Sequence, residues 1–330
     1  MRTAITGSIA TDHLMVFPGR FTDHLVADQL QNVSLSFLAD TLEVRRGGVA
    51  ANIAFGMGQL GLAPVLVGAV GPDFADYQVW LKQHGVDTDS VQVSHEHQTA
   101  RFVCTTDSVQ NQIATFYAGA MAEARRIALA PVTERAGALD LVVVAPNDPE
   151  AMLRHTAECR ELGIPFAADP SQQLARLDGE PVRLLLDGPR FLFSNEYEAA
   201  LLQERTGWSA DQVLQHVGTW ITTLGAKGVR IERAGEAPLL VPAAPTTGAT
   251  EPTGVGDAFR AGFLAGVTWD LTLRRSAELG CALATVVLES VGTQEYHLDR
   301  TDLLTRLRTG YGTESATELE PRLSYLARSL

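Results

Sequence analysis

Short runs of uniformly apolar residues recur along this chain with helix-length segments between them, and that order leaves few folds open. Residues 4–7 precede a helical stretch over 49–60, and Val65–Val70 is followed by a second over 74–84. The pattern resumes with an apolar run at 139–145, a helix over 149–162, and strand-like segments at 166–169, 191–194 and 220–224. A strand that is apolar at every position has both faces buried, the condition of a parallel sheet with helices on each side. The spacing therefore predicts a doubly wound, mostly parallel α/β sheet. From Val255 onward the chain reads as helical, with candidates at 255–267, 272–288 and 302–307.

Residues 33–45 and 99–117 break this rhythm, alternating polar and apolar side chains without an intervening helix. They predict a small antiparallel sheet, formed by insertions over about 13–46 and 98–118. Such a sheet would make a lid over the carboxyl edge of the main one, where α/β folds bind ligands. The expectation is one domain over 1–330 carrying this lid.

Composition narrows the function. With 26 basic and 39 acidic side chains the net charge is −13, which argues against wrapping nucleic acid or coating an anionic membrane. The three cysteines, Cys104, Cys159 and Cys281, form no CxxC pair, so neither a disulfide framework nor a zinc site is suggested. No apolar run approaches the roughly 18 residues of a membrane span, and no signal-like stretch opens the chain. A cytoplasmic protein is expected.

The most informative segment is Glu251-Pro252-Thr253-Gly254-Val255-Gly256-Asp257. Glycine amides at a helix N-terminus can point at an anion, and a carboxylate in the first turn can accept a proton from an attacking hydroxyl. The same pattern also fits an ordinary helix start with an acidic first turn. Gly47-Gly48 ahead of Asn52 reads either as close backbone approach to a sugar diol or as a tight turn before a helix. Asp12 could bind hydroxyls or be a turn residue. Asn195 and Glu198 suit either phosphate and hydrated magnesium or a helix cap. The segment from Thr223 to Gly228 reads as a glycine-bracketed turn between strands, under a nucleotide or simply a hairpin. Gly56-Met57-Gly58-Gln59-Leu60-Gly61 matches GxGxxG literally, but it lies at the end of a helix, where a dinucleotide loop cannot be. There is no P-loop and no HExxH.

Taken in order, Gly47-Gly48 with Asn52, Asn195 to Glu198, Thr223 to Gly228 and Pro252-Thr253-Gly254-Val255-Gly256-Asp257-Ala258-Phe259 resemble the PfkB, or ribokinase-like, family of carbohydrate and nucleoside kinases. The opening at residues 6–14 and the segment 168–176 further resemble its actinobacterial adenosine kinase branch. The resemblance implies ATP-dependent phosphorylation of the adenosine 5′-hydroxyl to AMP, a purine-salvage reaction; the alternative is a PfkB-type sugar kinase acting on ribose, fructose or a related sugar. It implies Asp257 as the base, with the amides of Gly254, Val255 and Gly256 as the anion hole. Ser8, Asp12, Gly48 and Asn52 would grip the nucleoside, with Asp12 on the ribose diol, and Gln172 and Gln173 would border its pocket. Phe116 and Gln112 would contact the base. Phe102 would reach a neighbouring subunit, since lid sheets of this branch pair into homodimers. Asn195, Thr223, Leu224, Gly225, Ala226, Lys227, Gly228 and Gly256 would hold ATP, and Glu198 would hold magnesium through water. Glu251 and Thr253 fall at a monovalent-cation site, potassium in the family, but the family usually has aspartate where Glu251 stands. Val255 replaces a more usual alanine.

Overall fold

The computed structural model describes residues 1–24 and 35–326. The main sheet has nine strands: β1 (Thr3–Thr6), β4 (Val65–Val70), β5 (Asp87–Val93), β8 (Leu141–Val144), β9 (Phe166–Ala168), β10 (Phe191–Asn195), β11 (Trp220–Thr223), β12 (Val229–Glu232) and β13 (Leu239–Val241). Their order is β13-β12-β11-β10-β9-β8-β1-β4-β5, parallel throughout except that β12 pairs antiparallel with both of its neighbours, β11 and β13. The strand order turns back between β1 and β8, the position where open α/β sheets leave a crevice.

Side chains alternate across this sheet, and the two faces feed two cores. Ile5, Leu66, Val143, Phe193 and Ile221 pack with one set of helices, and Ala4, Val65, Val142, Leu192 and Trp220 with the other. The first set comprises α1 (Val49–Gln59), α2 (Ala75–Gln83), α8 (Val255–Thr268), α9 (Leu273–Leu288), α10 (Arg300–Tyr311) and α11 (Thr313–Leu319). The second comprises α3 (Leu129–Ala136), α4 (Pro149–Glu161), α5 (Gly179–Leu185), α6 (Glu196–Thr206) and α7 (Ala210–His216). This is the doubly wound arrangement that the apolar runs predict.

A separate four-stranded sheet has the order β3-β2-β6-β7, built from β2 (Ala10–Val16), β3 (Thr41–Gly47), β6 (Ala100–Thr106) and β7 (Gln112–Tyr117). It is the small separate sheet expected, and it adds two details to the sequence reading. The strand expected from residue 33 begins at Thr41, and positions 33 and 34 lie outside the described residues. The sheet is also mixed, because β2 pairs with β6 in parallel while the other two pairings are antiparallel. The reason is topological: β2 follows β1 and β6 follows β5, so both leave the same edge of the parallel sheet in the same sense. Asp12 consequently lies within a strand, not in a turn.

Candidate active site

Helix α8 starts at the carboxyl edge of the main sheet, and its first turn is the centre of the site. Gly254 is its N-cap residue, in left-handed backbone at φ 78°, and no side chain caps the turn. A Cβ at Gly254 would stand 2.8 Å from Thr293 Cγ2, so only glycine fits. Among the described residues, the amides of Gly254, Gly256 and Asp257 donate to no protein acceptor, whereas Val255 N lies 3.4 Å from Pro252 O. The set of free amides thus differs from the expected Gly254, Val255 and Gly256, because the turn draws Val255 inward. Free N–H groups at the positive end of a fourteen-residue helix are able to receive an anion.

Asp257 is held from across the fold. Asn52 Nδ2, on α1, donates to Asp257 Oδ2 at 2.8 Å. Asn52 Oδ1 accepts from Gln294 Nε2 at 2.9 Å, with Thr293 Oγ1 3.0 Å away. These donors fix which end of the amide faces the carboxylate. Gln294 Nε2 also donates to Tyr77 Oη, which donates to the Gly47 carbonyl at 2.9 Å. Asn52 is therefore committed first to Asp257, and its expected grip on a sugar can use only the second hydrogen of Nδ2. Thr293, Gln294 and Tyr77 were not singled out by the sequence reading; the only local hint is the glycine at 292. Burial pushes the Asp257 carboxyl up to about 6, against the opposing pull of Asn52 and Arg260.

Two cavities meet across this turn. One, of about 560 Å³, is lined by Gly254 and Asp257 together with Ser8, Asp12, Gly48, Asn52, Phe102, Phe116, Gln172, Gln173 and Thr253. The other, of about 520 Å³, is lined by Val255 and Gly256 together with Thr223, Gly225, Ala226 and Gly228, over an apolar floor that includes Phe259, Ala284 and Leu288. In the first, Asp12 sits opposite Arg45 and Phe102 in strand register, and Phe102 opposite Phe116, so these side chains share one face of the lid. A Cβ at Gly47 would stand 2.9 Å from Asp12 Oδ2, so glycine there makes room for the carboxylate. Burial raises the Asp12 carboxyl to about 6, while Arg45 lowers it and Glu251 and Glu295 raise it further. Ser8 Oγ accepts from Val49 N and is part of the helix start as well as of the cavity wall. Gln173 Nε2 donates to Asn147 O, and its buried Oε1 has no hydrogen-bond partner among the described residues.

Other expected residues fall elsewhere. Gln112 pairs with Thr106 at the far end of the β6–β7 ladder, four positions before Phe116, and does not line the cavity. Phe102 lines the cavity of its own chain. Leu224 and Lys227 stay off the second cavity: Leu224 N donates to Gly228 O and Lys227 N to Leu224 O, closing a hairpin turn. Asn195, opposite Thr223 in register, makes a full capping box with Glu198 at the start of α6. Glu198 is buried and accepts from Asn195 N and Ser171 Oγ, which leaves lone pairs for water. A larger cavity of about 670 Å³ opens at the opposite edge of the sheet, near Arg190, Gly218, Arg233 and Asp270, and holds none of the motif residues.

The pfkB family carbohydrate kinase pattern matches residues 10–300 of the chain. The chain belongs to this family. A nucleoside kinase of Methanocaldococcus jannaschii is 30% identical over 250 residues, 75% of this chain and 80% of that protein. The solved nucleoside kinase of Burkholderia thailandensis in complex with inosine has a TM-score of 0.81 at 32% identity, covering 94% of this chain and 98% of that one. The same protein in complex with ADP-inosine has a TM-score of 0.78 at 33% identity, covering 94% and 96%. As in those pfkB-family relatives, the fold is ribokinase-like, with a large, mostly parallel sheet and a smaller separate one. Glu198, which accepts only from Asn195 N and Ser171 Oγ among the described residues, keeps lone pairs that could take the water of a hydrated magnesium ion. The monovalent-cation position does not fit: Glu251 Oε2 already accepts from Arg45 Nη1 at 2.7 Å and from Gly292 N at 3.2 Å. A guanidinium so close neutralises the carboxylate and repels a second cation. No helix of the described residues is long and apolar enough to cross a membrane.

Proposed function

We propose that this pfkB-family kinase transfers the γ-phosphoryl group of ATP to the 5′-hydroxyl of adenosine, giving AMP and ADP. One observation carries the reading: Asp257 and Gly254 face one cavity while Val255 and Gly256 face the other, so a hydroxyl and a phosphate meet at a single helix turn. With the nucleoside in the first cavity, ionised Asp12 accepts from the ribose hydroxyls and Phe102 and Phe116 supply aromatic surface for the base. With ATP in the second, the Thr223–Gly228 turn lies along the nucleotide and Asn195 borders its phosphates.

Asp257 Oδ1, which takes no donor among the described residues, accepts the proton of the 5′-hydroxyl as its oxygen attacks the γ-phosphorus. The bond from that phosphorus to the β–γ bridging oxygen breaks, and its electron pair leaves with ADP. The free amides of Gly254, Gly256 and Asp257 stabilise charge on the phosphoryl oxygens. Magnesium, held through water at Glu198, would supply neutralisation of the phosphates.

The reading is tested by ADP release with Mg-ATP and adenosine, inosine, ribose or fructose, with Asp257→Ala as the blank. Turnover of adenosine above the others supports it. Turnover of inosine instead makes the enzyme a nucleoside kinase of another preference, and turnover of a sugar alone overturns the purine pocket. Replacing Phe116 with alanine should weaken adenosine KM about 5- to 150-fold, the worth of about 1–3 kcal/mol of base stacking, and leave ribose unaffected. Equal losses for both would make the ring structural.

The lid also supports a homodimer. Leu42, Val44 and Ile113 are exposed, and the register places them on one face, opposite that of Asp12 and Phe116. A second lid sheet would cover such a patch. Val44→Asp should convert a dimer to a monomer in sedimentation; wild-type protein that sediments as a monomer would end the idea.

A further inference from the structure

Arg260 lies one helical turn beyond Asp257 and is only 6% exposed; its partner Asp169 is 1% exposed. Arg260 Nη2 donates to Asp169 Oδ1 at 2.7 Å, and Nε stands 2.5 Å from Oδ2. The third arm, Nη1, donates to the carbonyl of Gly256 at 3.0 Å. Asp169 follows β9 and leads directly into Ser171, Gln172 and Gln173. A single side chain thus joins the backbone of the anion-binding turn to the segment that walls the nucleoside cavity.

Stability does not explain this placement. A cation early in a helix opposes the helix dipole, and a buried ion pair is commonly no better than apolar packing of the same volume. We propose that Arg260 is a positioning residue for phosphoryl transfer: by bridging Gly256 to Asp169 it fixes the anion-binding turn against the nucleoside wall and sets the charge around Asp257. The proposal rests on Asp257 being the base.

The groups facing Asp257 are Asp12 from β2, Asn52 from α1, Asp169 after β9, Arg260 on its own helix, and Tyr296 in the segment after α9. Arg260 is the one cation among them. It favours the ionised carboxylate, whereas Asp169 and Asp12 disfavour it. Loss of Arg260 alone leaves Asp169 as an uncompensated charge behind the base. Loss of both partners removes the opposing effects together but frees the turn.

The test compares Arg260→Met, Arg260→Lys and the double variant Asp169→Leu with Arg260→Met, reading kcat, both KM values, the pH profile of kcat, and Tm. Arg260→Met should move the acid limb of kcat upward by about one pH unit. The double variant should return the limb to its wild-type position and melt no lower than wild type, yet turn over about 10²-fold more slowly with both KM values nearly unchanged, the cost of slight misplacement. Arg260→Lys should keep the limb in place while recovering only part of kcat, since an ammonium cannot span the fork. A double variant with wild-type kcat, or folded Arg260→Met with an unmoved limb, overturns the proposal. If Arg260→Met fails to fold, the double variant decides. Turnover near the wild-type rate in Asp257→Asn would instead count against the base, and the double variant's kcat would then stand as the separate test of Arg260.

Discussion

Asparagine at position 257 lowers turnover by about 10²- to 10⁴-fold, the usual worth of a general base, and leaves nucleoside affinity nearly unchanged. The substitution is close to isosteric, and Asn52 Nδ2 can still donate to the amide oxygen it would find in place of Asp257 Oδ2. What is lost is the lone pair that takes the proton of the attacking hydroxyl. Steady-state kinetics with a parallel binding isotherm check the split. A fall in affinity as large as the fall in kcat would make Asp257 a binding residue only.

The same carboxyl predicts two pH effects of opposite sense. Burial raises it from the ordinary aspartate value of 3.8 to about 6, so the fraction able to accept a proton, and with it kcat, should climb as pH rises through about 6. Stability runs the other way. A carboxyl raised on folding favours the folded state below its unfolded pKa, and that contribution is lost as pH rises from 3.8 through about 6. Asp257→Asn removes the cost of a buried charge at neutral pH. The inactive variant should therefore melt higher than wild type at pH 7.5, a trade common at active sites.

What could be read from the sequence follows from the range over which each interaction acts. The apolar runs at Val65–Val70 and Leu141–Val144 announce the sheet because every residue in them is buried. The capping box at Asn195 and Glu198 and the glycine start of α8 are likewise written in neighbouring positions. β2 escaped notice because five of its seven residues are half-buried and carry no clean alternation. Gln112, which only the family resemblance implies, shares a strand with Phe116 but lies at its other end, off the cavity that Phe116 lines. The bond between Asn52 and Asp257 spans 205 positions, and Thr293 and Gln294 reach Asn52 across more than 240. No local pattern records such a meeting. It follows from packing α1 against α8, a contact that includes Gly56 within reach of Ala261.

Gly254 offers the sharpest test of the anion site, because a single methyl group changes backbone geometry without touching any titratable group. Alanine there must either keep φ near 78°, which costs a non-glycine residue about 1–2 kcal/mol, or rotate away and carry the adjoining amides with it. The methyl would also meet Thr293 Cγ2 at 2.8 Å and Cβ at 3.0 Å, and Thr293 neighbours the Asn52 that holds Asp257. Both consequences disturb groups that act on the transferring phosphoryl, and losing one such donor costs about 10²- to 10³-fold in kcat. Gly254→Ala should therefore lose turnover on that scale while Tm falls by only a few degrees. Adding Thr293→Ser removes the Cγ2 clash but not the strain at positive φ. Recovery should accordingly be partial, and full recovery would show that crowding at Thr293, rather than the amide geometry, sets the rate.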